Sequence, residues 1–365
     1  EYIFNLTGFN KFILNLLIIQ SFGEGIIYIY NNKISLDYQY KNFLKISLVN
    51  TVGNIFLSLI LILTIMSGQR YMGRIIGTSA PIILLTAIIL FSFYKKAMPK
   101  VNFKYWKFGL LFSIPIISHG LSQIVLSQSD RIMIQHFSGN QMVGLYSFSY
   151  TIGTILTITV SSLDTAWSPW FFEQMIKKNL SAIKKRSSQY LTVIFLLAAF
   201  LILAAPEITK VLAGKDFWSS MYCTIPVLVG IFFSVIYTIP VQIEYYLKKT
   251  KYIALGTIGA AVINVILNFI FIPQYGYIAA AYTTLVSYML YFTFHYIIAA
   301  RLLGSCIFNT AIFVLYGFLI IILGILSLVF IKYLLIRAGI ALIILILMTF
   351  IYKTRMIGDV SFGEK

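Results

Sequence analysis

Charged residues are scarce in this 365-residue chain, at 11% of the sequence, while apolar residues make up 59%. Soluble domains carry about 25% charged and about 45–50% apolar residues. The mean hydropathy of +0.89 reflects the same imbalance. The composition therefore excludes a water-soluble globular protein and indicates an integral membrane protein.

Cysteine and histidine are also rare, with two Cys and three His in the whole sequence. Cys223 and Cys306 lie in or beside apolar segments, with no Cys or His at the spacing of a metal site. Enzyme signatures are missing as well, since no Gly-rich loop follows a strand and no nucleophile elbow is found. These absences argue against a disulfide framework and favour a non-enzymatic transporter without catalytic residues, metal or cofactor.

Long apolar runs fill the sequence instead. A helix needs roughly 20 apolar residues to cross the hydrocarbon core, and the shorter alternating segments of a β-barrel are absent. The runs predict an all-α integral membrane protein with eleven transmembrane helices. Their predicted ranges are 9–30, 46–66, 75–94, 108–129, 141–166, 190–212, 222–246, 252–273, 277–299, 306–330 and 333–352.

Acidic residues number only 11 against 28 Lys and Arg, which gives a formal net charge of +17. On a soluble protein this bias would suggest a nucleic-acid partner. When the predicted spans are connected in order, however, twenty of the 28 basic residues fall on one side of the membrane. The positive-inside rule places that side in the cytoplasm. The charge therefore reflects topology and contact with anionic lipids, and no nucleic acid is expected.

The number of spans predicts where the chain ends lie. Eleven spans place the C-terminus in the cytoplasm and residue 1 outside. The chain opens with Glu1 rather than Met, in a short polar stub without signal-peptide charges. The interpretation we favour is a fragment that lacks an odd number of N-terminal spans. One misassigned span, at 9–30, is the alternative.

The connections between spans are too short to fold as a soluble domain of about 50 residues. Two cytoplasmic connections are longer than the others. Residues 95–107 form a basic linker that contains proline. In 167–189, apolar residues recur at helical spacing beside basic ones, which predicts a helix lying in the inner headgroup layer. Extension of the preceding span is the alternative for this region.

Polar residues recur at helical spacing inside four spans of the second half. His119 and Gln123 share one face of the fourth span, and Asp164 ends a row in the fifth. Asn264 and His295 belong to rows in the eighth and ninth spans. Such rows indicate either a wet cavity or hydrogen bonds between helices, and both interpretations remain open. The ionisable members favour a pathway, because a charge near the bilayer centre costs at least about 2.5–3.5 kcal/mol.

Other charged residues lie near the predicted membrane surfaces. Asp130 and Arg131 are neighbours at the outer end of the fourth span, where they are expected to form a solvated structural pair. Glu244 precedes Lys248 and Lys249 by four and five residues near the inner surface, which predicts a structural ion pair on one helix face.

Three segments of the chain carry motifs of a known membrane protein family. They are 106–150, which contains SDRIMI and GLYS, then SLDTAWSPWFFEQM at 162–175 and FIPQYGYIAAAYTTLVSY at 271–288. These segments resemble bacterial polysaccharide-biosynthesis transporters, the lipid-linked oligosaccharide flippases of O-antigen, capsule and related glycans. The similarity covers most of residues 35–300. The family is related to the multidrug and toxic compound extrusion (MATE) transporters, which implies two six-helix bundles, in some members with two added C-terminal helices.

The resemblance also implies a domain division. The first span here would be the fourth of fourteen, so that three helices are missing. Residues 1–94 would be the remnant of the first bundle and 95–107 the linker between bundles. Residues 108–300 would be the complete second bundle, and 301–365 the two extra helices with a cytoplasmic tail.

The function implied by the resemblance is transport by alternating access. An undecaprenyl-pyrophosphate-linked oligosaccharide, such as an O-antigen unit of lipopolysaccharide, would move from the cytoplasmic to the outer face of the bacterial plasma (inner) membrane. Membrane lipids and glycan assembly proteins would be further partners. Hydroxyls, amides and aromatic rings suit a sugar, and basic side chains such as Arg74 suit a pyrophosphate. The residues expected to line the path are His119, Gln123, Asp164, Asn264 and His295, with Arg131 at the outer mouth.

Two other functions remain open from the sequence. A cation-coupled drug or metabolite antiporter has the same fold, and fold does not determine substrate. It would need an acidic site with aromatic walls, which Asp164 and Trp167 could supply. A membrane glycan polymerase or ligase acts on the same lipid carrier, but such enzymes resemble one another in a large outside loop. The longest outside connection here is about a dozen residues.

Overall fold

The computed structural model describes residues 10–36, 39–96 and 102–346. Within these ranges the secondary structure consists of helices joined by short turns, without strands. The predicted all-α fold is confirmed. The chain divides into two compact units, Glu1–Phe103 and Lys104–Lys365, and each is described by itself.

The first unit contains three long helices in its described residues. They are α1 (Lys11–Leu36), α2 (Tyr40–Leu63) and α3 (Arg70–Lys96). A small apolar core joins α1 to α3, where Ile27 packs with Ile82 and its neighbours along α3.

The second unit is built from helices that follow one another with short connections. A 3₁₀ turn, Lys215–Ser220, lies between the third and fourth of them. The helices are α4 (Phe103–Ser138), α5 (Asn140–Ile176), α6 (Leu180–Leu212), α7 (Met221–Ile236), α8 (Thr238–Tyr246), α9 (Thr250–Tyr275), α10 (Tyr277–Leu303), α11 (Thr310–Val329) and α12 (Leu334–Ile346).

Nine helical segments of the described residues are long and apolar enough to cross a membrane, with α7 and α8 counted as one segment. The two other predicted spans lie on α4 and on the shorter apolar helix α12. The last predicted span, 333–352, continues beyond the described residues. The chain is therefore a multi-pass membrane protein.

The helix α7 lies at the centre of the core of the second unit. Thirteen of its sixteen residues are buried. The sequence predicts one span over 222–246, but the helix breaks at Tyr237, between α7 and α8. Pro240 explains the break, because its nitrogen carries no hydrogen to donate to the carbonyl of Ile236.

The region 167–189 does not form a separate surface helix. The helix α5 continues to Ile176, and α6 begins at Leu180. Between them, Lys178 adopts a left-handed conformation (φ 55°). The side chain of Asn179 then caps α6 by accepting a hydrogen bond from the backbone N–H of Ala182 at 3.2 Å. The headgroup-layer prediction is wrong, and extension of the preceding span describes this region as far as Ile176.

Single glycines join two pairs of helices in the second unit. Gly139 separates α4 from α5 with φ 85°, and Gly276 separates α9 from α10 with φ 69°. Only glycine adopts these angles without a steric penalty. The N–H of Gly139 also donates to the carbonyl of Ile134 at 3.1 Å, which closes the end of α4. These turns bring the end of α4 beside the start of α5, and the end of α9 beside the start of α10.

In the first unit, Gly77 of α3 packs directly on Ser58 of α2. A Cβ atom at position 77 would lie 2.5 Å from the Cα atom and 2.6 Å from the backbone nitrogen of Ser58. Because backbone atoms cannot rotate away, we expect Gly77→Ala to force the two helices apart and to lower the free energy of unfolding by about 1–3 kcal/mol. Chemical unfolding in mixed micelles would measure the loss.

The matched control for that substitution is Gly25→Ala in α1. A Cβ atom at Gly25 would have no atom within 4 Å, so we expect little change. Equal effects of the two substitutions would contradict the close approach of α2 and α3.

Candidate functional site

Polar side chains form two groups in the second unit, one drawn from α4, α5, α9 and α10 and the other from α4, α9 and α10. We name the first the Asp130 network, after its central carboxylate. It consists of Ser129, Asp130, Tyr146, Asn264, Asn268, Thr283 and Thr284. We name the second the His119 group. It consists of His119, Gln123, Thr257 and Tyr291.

Asp130 is completely buried and accepts hydrogen bonds at both carboxylate oxygens. Its Oδ1 accepts from the Nδ2 atom of Asn268 at 2.5 Å. Its Oδ2 accepts from the Oγ1 atom of Thr284 at 2.9 Å and from the hydroxyl of Tyr146. A buried carboxylate is tolerated only when such donors surround it. The predicted solvated pair with Arg131 is therefore wrong, since Asp130 has no exposed surface and its donors are neutral side chains.

The two asparagines of α9 hold the donors of the network in place. The Nδ2 atom of Asn264 donates to Thr284 Oγ1 at 3.0 Å. The Oδ1 atom of Asn264 accepts from Ser129 Oγ and from Asn268 Nδ2, both at 3.1 Å. Thr283 donates in turn to Asn268. The amides thereby connect α4, α9 and α10 into one hydrogen-bonded unit.

Arg131 is half-buried beside this network and contacts neutral groups. Its Nε atom donates to Ser147 Oγ at 3.1 Å, and Nη1 donates to the carbonyl of Ser127 at 2.5 Å and to Gln128 Oε1 at 3.1 Å. The guanidinium carbon lies 4.9 Å from the ring centroid of Tyr150. These contacts orient the guanidinium and leave its positive charge without a carboxylate partner among the described residues.

The His119 group crosses the same three helices. His119 Nδ1 lies 2.6 Å from Thr257 Oγ1, which lies 3.3 Å from the hydroxyl of Tyr291. Gln123 Nε2 donates to that hydroxyl at 3.0 Å. Thr257 and Tyr291 are buried, whereas His119 and Gln123 are half-buried. The structure therefore brings the predicted residues of α4 into contact with polar residues of α9 and α10.

Glu244 of α8 and His295 of α10 form a separate buried pair. The Oε1 atom of Glu244 lies 2.7 Å from the Nδ1 atom of His295, and neither residue has exposed surface. The predicted partners of Glu244, Lys248 and Lys249, are wrong: they follow the end of α8 and are exposed. The ring of Tyr291 contacts His295 edge-on at 4.7 Å, which places the pair beside the His119 group.

Asp164 of α5 lies apart from these groups, beside α6 and α8. Its Oδ1 atom accepts hydrogen bonds from the hydroxyl of Tyr190 at 2.7 Å and from Thr238 Oγ1 at 3.4 Å. Trp167 stacks on Tyr190 with ring centroids 5.1 Å apart. In residues 10–36, 39–96 and 102–346, no set of three or more His, Cys, Asp or Glu side chains could hold a metal ion.

Arg74 belongs to the first unit, on an exposed face of α3. Its Nη1 atom donates to Asn54 Oδ1 at 3.3 Å and to Ser58 Oγ at 3.4 Å. Both acceptors are neutral, so these bonds do not neutralise its charge.

Sequence reasoning missed the ion pair between Arg337 of α12 and Glu207 of α6. The two terminal guanidinium nitrogens of Arg337, Nη2 and Nη1, contact the carboxylate at 2.5 and 2.6 Å. The exposed fraction of the side chain is 1% for Arg337 and 30% for Glu207. The pair borders an apolar groove of about 440 Å³ between α6 and α12. The signal that could have revealed the pair is a single acidic residue, Glu207, in the apolar run 190–212 and a single basic residue, Arg337, in the apolar part of 333–352.

Comparison with known proteins supplies a family and a relative. Residues 2–175 match the family described as "Polysaccharide biosynthesis protein". A protein of the Lsg locus of Haemophilus influenzae is 26% identical over 211 residues, which are 54% of this chain and 52% of that protein. The chain therefore spans about half the length of this curated relative. The predicted family resemblance is confirmed.

Two solved structures share the fold. The lipid II flippase MurJ, in an inward closed conformation, aligns with a TM-score of 0.63 at 16% identity, over 94% of this chain and 75% of that chain. A point mutant of a MATE protein aligns with a TM-score of 0.52 at 14% identity, over 79% of this chain and 66% of that chain. At these identities the likeness shows the fold alone, and the predicted MATE-related fold is confirmed.

Proposed function

Because the chain resembles the polysaccharide-biosynthesis family in sequence and two transporter types in fold, we propose that it belongs to a flippase. Its substrate would be a lipid-linked oligosaccharide, carried on undecaprenyl pyrophosphate from the cytoplasmic to the outer face of the bacterial plasma membrane. The family match over residues 2–175 is the observation that carries this proposal. Alternating access of helical bundles is the mechanism typical of the fold.

We assign the path of the substrate in the second unit to the half-buried polar residues of α4. His119 and Gln123 are each anchored on a buried residue, Thr257 or Tyr291, and Arg131 is oriented by neutral contacts. Imidazole and amide groups suit the hydroxyls of a sugar, and a guanidinium without a carboxylate suits a phosphate. Asn264 and His295 have no exposed surface, so they would not contact the substrate. Their role would be to hold the helices that carry the polar residues of the path.

The contacts of Asp164 favour the flippase over the drug antiporter. A cation site would need a free carboxylate and an open aromatic wall. The Oδ1 atom of Asp164 already accepts hydrogen bonds from Tyr190 and Thr238, and Trp167 is packed against Tyr190 with 7% of its surface exposed. We therefore propose that Asp164 lines the path as a half-buried polar group of α5 and does not bind a cation.

Deletion of the gene for the full-length parent protein in its host is the first test. We expect lipid-linked repeat units to accumulate at the inner face of the membrane while surface glycan disappears. Complementation with Arg131→Gln should restore export at least about tenfold less well than wild type, because a charge-assisted hydrogen bond contributes about 1.5–3 kcal/mol. His136→Gln is the matched control, since His136 is an exposed residue at the end of the same helix.

Unchanged surface glycan together with a loss of resistance to cationic drugs would contradict the flippase and support the antiporter. Equal export by the Arg131→Gln and His136→Gln variants, at equal expression, would show that Arg131 does not line the path. That outcome would not contradict the flippase proposal.

A further inference from the structure

The helices α5 and α8 meet in two hydrogen-bonded pairs of polar residues. Thr238 Oγ1 of α8 donates to Asp164 Oδ1 of α5 at 3.4 Å, and Gln242 Nε2 of α8 donates to Ser168 Oγ of α5 at 2.6 Å. On each helix the two residues are four positions apart, which is about one helical turn. The two helices therefore run in the same direction here and stay in register. We name these four residues the α5–α8 seam.

The carboxylate of Asp164 keeps one oxygen free in this seam. Its Oδ1 atom accepts from Thr238 and from the hydroxyl of Tyr190, whereas no described residue donates to Oδ2. Asp164 is half-buried. A carboxylate has about four acceptor positions, and holding it away from water is costly unless donors surround it. The free oxygen therefore favours a ligand that donates hydrogen bonds.

Aromatic rings lie beside this carboxylate. Trp167 stacks on Tyr190, with ring centroids 5.1 Å apart. Trp170 is half-buried, and its ring centroid lies 5.3 Å from that of Trp167. A half-buried indole offers an apolar ring surface and one N–H donor. A sugar ring matches this arrangement, because it carries hydroxyl donors on its rim and C–H groups on its faces.

The seam continues a polar row along α5. Thr157 and Ser161 precede Asp164 by seven and three positions, so the three residues lie on one side of the helix. Thr157 and Ser161 are exposed, and their hydroxyls donate to the carbonyls of Gly153 and Ile158 in the same helix. Exposed hydroxyls suit contact with water or a polar ligand better than contact with acyl chains. The row therefore extends the surface that a hydrophilic substrate would meet.

A cation is the competing ligand for a free carboxylate oxygen. A metal ion needs several oxygen ligands, and Asp164 is the only carboxylate of the seam. An organic cation needs an open aromatic face, but only 7% of the surface of Trp167 is exposed. The donors that already contact Oδ1 are neutral hydroxyls, of the same chemical kind as those of a sugar. The contacts therefore favour a sugar hydroxyl over a cation.

We propose that the α5–α8 seam is a subsite for one sugar ring of the transported glycan, with a sugar hydroxyl donating to Asp164 Oδ2. The identity of the ligand as a glycan rests on the proposed function, whereas the preference for a hydroxyl donor rests on the contacts of the seam. A site built to hydrogen-bond a hydroxyl discriminates strongly against an analogue without it. Asp164 is thus a specificity-determining residue.

Asp164→Asn tests the subsite while it preserves the seam. The amide oxygen still accepts from Tyr190 and Thr238, but the second oxygen becomes an NH₂ group and the charge is lost. The probes are lipid-linked glycan extracted from the host membrane and undecaprenyl pyrophosphate without sugar, added to the full-length parent protein in lipid nanodiscs. We expect the affinity for the lipid-linked glycan to fall by about tenfold or more, because hydrogen bonds to charged groups are among the strongest. The affinity for undecaprenyl pyrophosphate should not change.

The matched control is Thr165→Ala, which should leave both affinities unchanged. Thr165 is exposed on α5, and its hydroxyl donates to the carbonyl of Ser162 at 2.6 Å within the helix. An equal loss of affinity for both probes in Asp164→Asn would indicate a structural role and overturn the proposal. Unchanged affinity for the lipid-linked glycan would overturn it as well.

A second measurement needs no variant. Acetylation of the sugar hydroxyls on the same lipid carrier removes the hydrogen-bond donors of the glycan. We expect the wild-type parent protein to bind the acetylated lipid no more tightly than undecaprenyl pyrophosphate. Equal binding of the native and acetylated glycans would contradict a hydroxyl-binding subsite.

Failure of this inference and failure of the flippase can be told apart. If Asp164→Asn weakens the binding of tetraphenylphosphonium rather than that of the lipid-linked glycan, the seam is a cation site and the subsite is wrong. If gene deletion leaves surface glycan unchanged, the proposed function is wrong. The comparison of the two lipids still decides in that case whether the seam binds sugar.

Discussion

Arg337→Leu is expected to lower the free energy of unfolding by about 3 kcal/mol, because removal of one partner of a buried ion pair costs about 3–5 kcal/mol. We expect the lower end of that energy range because 30% of the Glu207 side chain is exposed. The substitution also removes donors from the carbonyls of Leu203, Phe330 and Ile331. Thermal unfolding can be followed by the reaction of buried Cys223 with a thiol dye, in a background where exposed Cys306 is replaced by serine.

The double substitution Glu207→Leu with Arg337→Leu should recover most of that loss. A buried pair replaced by apolar residues is often neutral, and these two residues border an apolar groove. The control is Lys332→Leu, which removes an exposed charge from the connection between α11 and α12 and should change the free energy of unfolding little. If the double variant is as unstable as the sum of its single variants, the pair does not couple α6 to α12.

Asp130→Ala is expected to lower the free energy of unfolding by at least about 3 kcal/mol, since each buried donor left without an acceptor costs about 1–3 kcal/mol. Three donors would lose their acceptor, from Tyr146, Asn268 and Thr284. The cavity left by the carboxylate is too enclosed for the donors to find bulk water. The same thiol-dye assay in bilayer-mimetic micelles would measure this loss.

Asp130→Asn separates shape from acceptor capacity in the same site. The amide keeps the volume but replaces one acceptor oxygen by a donor, so a smaller loss than for Asp130→Ala is expected. Asp216→Ala, at an exposed position in the 3₁₀ turn, should be close to neutral. Full stability of Asp130→Ala would show that the network does not hold α4 to α9 and α10.

The membrane spans could be predicted from the sequence because the bilayer permits few structures. Backbone groups in hydrocarbon must be satisfied within the segment, so a long apolar run is almost always a helix. Helix ends were harder to predict, as at Tyr237 and Lys178. The helix break at Tyr237 is explained by Pro240, three residues later. At Lys178, a residue in the left-handed conformation separates two helices within a region for which the sequence predicts a single helix.

Residue neighbours in the sequence were a poor guide to partners in the site. Asp130 and Arg131 are adjacent, but adjacent residues on a helix point in different directions, so one faces the core and the other does not. Glu244 and Lys248 have helical spacing, yet Lys248 lies beyond the end of α8 with φ 57°. The geometry of the helix, rather than charge complementarity along the chain, selected the partners.

The sequence by itself determined that this is an all-helical membrane protein, which segments are long and apolar runs, and which family it resembles. Those properties depend on local apolar length and on motifs carried by contiguous residues. Only the tertiary structure decided that Asp130 is buried among neutral donors, that Glu244 meets His295, and that Arg337 meets Glu207. Each of these contacts joins residues from different helices. A buried polar group takes its partner from whichever helix packs against it, and no local pattern records that choice.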